Sequence, residues 1–171
     1  MKPGELKLDG SVPERALITS QADCGDAVRI VLGSATRLLR AIHADLSLFD
    51  LSSVANVQQL ERLLLGHRSA RVRLLVDRSE WLESRSARLR LLQRHYSHAL
   101  ELRVASTDDP VGDEACVIAD NHSVVNLQPS EHVRGDLWVH HEPRVKAIAA
   151  TFDRRWEVAA HNLAVVPLGL G

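Results

Sequence analysis

The chain has few aromatic residues: three tryptophans, two phenylalanines and one tyrosine make up 4% of its 171 residues. It has two cysteines, three lysines and no apolar run near the ~18–20 residues that a membrane span needs. So little cysteine excludes a disulfide scaffold, and nine glycines with six prolines exclude a collagen-like or low-complexity chain. The opening Met1-Lys2-Pro3-Gly4-Glu5 lacks the apolar core of a secretory signal. These absences point to a soluble, cytoplasmic protein. At ~150 residues per domain the length predicts one domain, able to fold without a metal or a disulfide. Cys24 and Cys116 read as small buried hydrophobes rather than a redox pair.

What the chain does have is arginine. Eighteen arginines accompany the three lysines, and the net charge is −1 with a pI near 6.8. The balance is local as well as global: residues 62–107 carry +6 and residues 108–142 carry −7. Three readings fit: the two stretches neutralise each other inside the fold, the arginines face an anion or nucleic acid, or copies associate head to tail. A near-neutral pI argues against strong non-specific nucleic-acid binding.

Periodicity supplies the elements. Residues 1–22 hold Pro3, Gly4, Gly10 and Pro13 and read as a loose lead-in to a single α/β domain over 23–171. From Asp23, which suits an N-cap, Val28, Val31, Leu32, Ala35, Leu38, Leu39 and Ile42 recur at helical spacing. Leu46–Leu51 reads as a short strand, and Ser53 caps a second helix that Gly66 stops. Val72–Val76 is a buried strand ending at Asp77. Ser79 opens a third helix with Leu82, Leu89, Leu92 and Tyr96 inward, and Leu100–Val104 is the next strand. Two strand–helix–strand units in succession predict parallel pairing. Ala115–Ala119 and Ser123–Leu127 flank Asp120-Asn121-His122 and form a hairpin, followed by a strand at Leu137–Val139. Pro143 opens a last helix with Val145, Ile148, Ala149, Phe152, Trp156 and Ala159 inward. The apolar tail 162–170 is either an edge element or a contact with another chain.

This order, with Arg71–Asp77 leading into a helix, the hairpin ending Val117-Ile118-Ala119-Asp120 and Phe152 four residues before Trp156, resembles one half of the phospholipase D superfamily fold. The resemblance covers about Asp23 to Trp156, and it is strongest to small bacterial proteins with a single phospholipase-D-like domain. It implies a mixed, mostly parallel sheet flanked by helices, and two such halves facing each other as a homodimer. Active members carry His-x-Lys-x4-Asp on the hairpin, followed by Gly-Ser and Asn. One histidine attacks phosphorus and the lysines hold its oxygens. With Asp120 set on the motif's aspartate, Asp113 falls at the histidine and Ala115 at the lysine. Leu127, Gln128 and Ser130 fall at the downstream positions. Only the aspartate remains, so the resemblance implies a catalytically silent domain without a cofactor, in which Asp120 is a remnant.

Other constellations carry less. His95 and His98, three apart, with His140, His141 and Glu142, make a zinc half-site in principle, but surface histidines are the ordinary reading and no metal is expected. Asp108-Asp109 and Asp113-Glu114 sit in a Pro110/Gly112 loop and read as solvated turn residues. Trp81, Trp138 and Trp156 each lie in an apolar pattern and read as core or interface. Arg85, Arg88, Arg90 and Arg94 on the third helix are the candidate anion surface. No phosphate loop, nucleophile elbow, dinucleotide fingerprint, Cys-x-x-Cys or His-Glu-x-x-His occurs. The expectation is a binding or interaction module with a protein, nucleic-acid or small-anion partner and no membrane association. The alternative is a phosphodiesterase or nuclease rebuilt on His95, His98 or His122.

Overall fold

The computed structural model describes residues 1–6 and 12–159. Seven strands form one mixed sheet: β1 (Glu14–Ile18), β2 (Leu38–Ile42), β3 (Arg71–Val76), β4 (Leu100–Val104), β5 (Ala115–Ala119), β6 (Ser123–Leu127) and β7 (Gly135–Val139). Their order is β1-β7-β6-β5-β2-β3-β4. Strands β2, β3 and β4 are parallel, and every other neighbouring pair is antiparallel. Helix α1 (Gln21–Ser34) packs over the antiparallel strands β5, β6 and β1, helices α2 (Val54–Gly66), α3 (Glu80–Arg85) and α4 (Ala87–His95) accompany the parallel half, and α5 (Glu142–Val158) follows β7. One core lies under α1, α2 and α4, and a second lies under α5, built on Val145, Ala149, Phe152 and Trp156. This is the expected mixed α/β sheet flanked by helices, but it is not mostly parallel: four of its six strand pairings are antiparallel, because the second half of the chain returns by hairpins and not by helical crossovers.

Local chemistry places most boundaries. Ser20 caps α1 by accepting a hydrogen bond from the Asp23 backbone N–H at 3.1 Å. The expected cap, Asp23, sits one turn in and reaches back to accept from the Thr19 backbone and hydroxyl, both at 3.0 Å. The Thr19 backbone bond is the main cause of its lowered pKa. Ser53 caps α2 through the Asn56 N–H, and His141 caps α5 through the Arg144 N–H. At α1's far end, Arg62 of α2 donates to the carbonyls of Leu32, Gly33 and Ala35 and closes the helix.

Four further expectations are corrected here. Leu38, Leu39 and Ile42 do not continue α1 but form β2, the strand that joins the parallel half of the sheet to the antiparallel half. A strand buried on both faces shows no alternation, so its leucines satisfy helical spacing by coincidence. Leu46–Leu51 is not a strand. It is a loop around a 3₁₀ turn at Ser47–Phe49, with Leu46 and Asp50 in left-handed backbone, and its apolar pattern exists because Leu46, Phe49 and Leu51 plug the core. Residues 14–18 of the expected lead-in form β1, the edge strand against β7. The third helix is also two pieces, broken at Ser86, whose φ of −126° and ψ of 47° leave the helical region. Gly135 starts β7 where a Cβ would sit 2.8 Å from the Leu127 Cα of β6, so no larger residue fits without moving the strand. The apolar tail 162–170 lies outside the described residues.

Candidate functional site

Open α/β sheets bind ligands beyond the carboxyl ends of their parallel strands, where the strand order changes direction. Here that place is the end where β2 and β3 finish and β5 begins. It holds a cleft of about 480 Å³. His43 and Asp45 follow β2, Arg78 follows β3, Asp113 and Ala115 open β5, and 127–134 closes the far wall.

His43 is held from both sides. Its ring lies edge-on to Phe49 at 5.8 Å, and its Nδ1 accepts the Leu46 backbone N–H at 3.0 Å. Burial lowers its pKa below the ordinary histidine value, and the Asp45 carboxylate 3.2 Å away only partly opposes this. Nδ1 lies between two partners, the Leu46 N–H at 3.0 Å and the Asp45 Oδ1 at 3.2 Å: accepting from Leu46 puts the neutral ring's proton on Nε2 as a donor, whereas donating to Asp45 leaves a lone pair on Nε2. Asp45 is itself held by the Ser47 N–H and hydroxyl. Asp77 pins the opposite lip by accepting from Val111 and Gly112 at 2.8 and 3.0 Å, with Gly112 at φ +61°.

Carboxylates dominate this end. Segments 43–50, 77–80, 105–114 and 128–134 hold nine of them against two arginines. Asp109 and Glu114 are not free turn residues: Asp109 pairs with Arg154 and Arg155, and Glu114 with Arg155, which ties the acidic loop to the end of α5.

Asp120 sits at the other end of the sheet. Its Oδ1 accepts the backbone N–H groups of Arg37 (2.9 Å) and Leu38 (2.8 Å), and its Oδ2 accepts the N–H and hydroxyl of Thr36. His122 Nε2 lies 3.2 Å from the same carboxylate. Burial alone would raise its pKa, but the bonds from His122, Leu38, Thr36 and Arg37 outweigh it and hold the carboxyl well below the usual range. Its backbone is left-handed at φ 52°. The residue is a tether that fixes the start of β2 to the β5–β6 turn.

The sequence profile of DUF7931, a domain of unknown function, matches residues 20–165. The chain belongs to this family. No curated protein sequence matches it. Among solved structures, this DUF7931 chain is similar to Nuc from Salmonella typhimurium, a phospholipase D family member (TM-score 0.61, 14% identity, 88% of this chain and 99% of that one). It is also similar to NucT from Helicobacter pylori (TM-score 0.59, 9% identity, 88% and 100%). A third likeness is to TrmBL2, an archaeal chromatin protein (TM-score 0.64, 15% identity), of which the chain covers 57% while 91% of the chain is matched. These likenesses give the DUF7931 chain a phospholipase-D-like fold.

Within that fold the predicted site residues disperse. Asp113 and Ala115 line the cleft, as the resemblance implies for the positions they occupy. Arg85 and Arg88 border a hollow with Asp50, Ser52 and Trp81, and Arg90 donates to the Glu83 carbonyl. Arg94 lies in the last turn of α4, one turn beyond Arg90 and toward the other end of the strands. His95 and His98 are exposed beside Arg94, away from the cleft. His122 stacks on His140 at 5.8 Å, and His141 packs on Trp138 at 4.8 Å. Among the described residues no three His, Cys, Asp or Glu side chains converge as a metal site, and no helix is long and apolar enough to cross a membrane. Cys24 and Cys116 are buried free thiols whose pKa values burial pushes up, that of Cys24 to about 11. The sequence reading missed His43, Asp45, Arg78, His132 and Arg134 in the cleft. The signal was a polar residue just after each buried strand, and for His43 it was hidden by the misread β2.

Proposed function

We propose that this chain is a catalytically silent phospholipase-D-like module of the bacterial cytoplasm that acts by binding and pairs with a second copy of itself. The observation that carries the reading is the cleft. An acid, Asp113, and a methyl group, Ala115, occupy the positions where the family's nucleophile and phosphate clamp would stand. Three carboxylates, Asp45, Asp113 and Glu131, line it against Arg78 and Arg134, and Asp113 stands where a phosphate clamp would need a cation nearby. Of the two histidines that line it, His43 presents an Nε2–H where its Nδ1 accepts from Leu46, and that tautomer is part of the proposal. Hydrolysis on His95, His98 or His122 gains no support, because none of them lines the cleft. Similarity to TrmBL2, described as a DNA-binding chromatin protein, favours a binding role on this fold without proving one for this chain.

Histidine ¹⁵N NMR between pH 5 and 8 tests the cleft directly. His43 is expected as the Nε2–H tautomer with a midpoint below ~6.5. An Nδ1–H tautomer titrating above that value would return a lone pair to the cleft and defeat the reading. The pairing is tested by sizing at micromolar concentration. A mass of twice 18.9 kDa is expected, and a clean monomer removes the dimer from the proposal.

A further inference from the structure

The charge contrast of the sequence becomes a polarity along the strand axis. Four segments meet at the end opposite the cleft: 36–37 before β2, 67–71 before β3, 94–99 before β4, and the 120–122 turn. They are joined by direct bonds. Asp120 holds the backbone of 36–38, the Arg37 guanidinium lies 3.1 Å from both the His67 ring and the Ser69 hydroxyl, and the Arg71 N–H donates to the Arg37 carbonyl. The Arg71 guanidinium turns back to the carbonyls of Arg68 and Ala70. Val72 takes the Ala99 carbonyl and so brings in the 94–99 loop.

These segments hold Arg37, Arg68, Arg71 and Arg94 and a single carboxylate, Asp120, whose oxygens already serve backbone N–H groups. Arg37, Arg68 and Arg94 are exposed, as are His95 and His98. We propose that this basic end of the sheet binds the phosphate backbone of nucleic acid, independently of anything the cleft does. All four cations are arginine, whose planar fork matches phosphate oxygens. The three strands β2, β3 and β4 that follow the arginines, at ~4.8 Å spacing, set the row about 10 Å wide, the axial rise of about three nucleotides at ~3.4 Å each. Among the described residues, none of the large exposed apolar side chains falls in these segments, which favours a polyanion over a lipid surface. The acidic cleft end orients the molecule with this end toward the polyanion.

Fluorescence anisotropy with 20-residue single-stranded DNA and 20-base-pair DNA, both labelled and of mixed sequence, tests the proposal on the full chain. Binding to at least one is expected at 50 mM salt. It should weaken about a hundredfold by 200 mM, as four contacts at ~0.9 counterions each require. Arg68→Glu with Arg94→Glu should weaken binding at least tenfold, and Arg68→Gln with Arg94→Gln should do so to a smaller extent. Arg29→Glu with Arg154→Glu makes the same change in net charge away from this end, Arg154 lying beside Asp109 at the cleft end, and should stay within twofold. Thermal melts of all variants confirm that they are folded, and the glutamine pair decides the matter if the glutamate pair is not. Absence of binding at 50 mM salt, equal losses in the test and control pairs, or tighter binding to phosphatidylserine vesicles than to either DNA would each overturn the proposal.

Discussion

Asp120→Ala is expected to cost about 3–5 kcal/mol of folding stability, with no ligand present. The variant strands the N–H groups of Thr36, Arg37 and Leu38 at the start of β2, and a hydrogen bond to a charged group contributes about 1.5–3 kcal/mol. Asp120→Asn keeps one acceptor oxygen but turns an amide NH₂ toward backbone donors, so it should cost about 1–3 kcal/mol. The pH dependence has a definite sign. A carboxylate whose folded pKa is depressed contributes stability above its unfolded value of ~3.9, and this is lost as pH falls toward the folded value. The gap between the wild type and Asp120→Ala should therefore narrow by about 1 kcal/mol from pH 7 to pH 3. Urea titrations at the two pH values measure it. A loss below 1 kcal/mol, or a gap indifferent to pH, would mean that the tether is not made.

Trp156→Ala should be comparably severe. The indole is almost fully buried, stacks on Phe152 at 5.8 Å, and carries the Arg103 guanidinium 4.3 Å from its ring centre. Arg103 also donates to the Trp156 carbonyl at 2.8 Å, so the side chain and backbone of one residue hold the end of α5 on β4. Truncation leaves a cavity worth about 3–5 kcal/mol, and Trp156→Phe should cost about 1–2 kcal/mol because the stack survives. A double-mutant cycle with Arg103→Met should return a coupling of about 0.5–2 kcal/mol. Additive losses would reduce the arginine to a bystander.

Both residues show how far the sequence could be read. The last helix was legible because Pro143 marks its start and Val145, Ala149, Phe152 and Trp156 keep one face. The 115–127 hairpin was legible from its two apolar runs around Asp120-Asn121-His122. Strand β2 was not, because burial on both faces erased the alternation that separates a strand from a helix. Strand β1 was hidden by the nearby prolines and glycines and by having only one neighbour, β7. Asp120 could be read as a turn residue that bonds local backbone, but its actual partners lie 82–84 positions away in the chain, and no spacing rule reaches them. The two charged stretches were visible as composition. Neither stretch keeps to one end, since Asp77 and Glu80 of the basic one lie by the cleft and Asp120 of the acidic one lies opposite; the polarity along the strands depends on which loops the parallel crossovers deliver to each end. The acidic loop finds its arginines on α5, not on the basic helix that the charge count suggested.

The central claim is that the cleft does no phosphodiester chemistry, and turnover tests it most directly. Purified protein at micromolar concentration is assayed on bis(p-nitrophenyl) phosphate and on plasmid DNA, with Mg²⁺ or Mn²⁺ and with EDTA, beside His43→Ala. The account predicts rates at the level of buffer alone for both proteins under every condition. Turnover above background that disappears in His43→Ala would contradict it and make the cleft an active site.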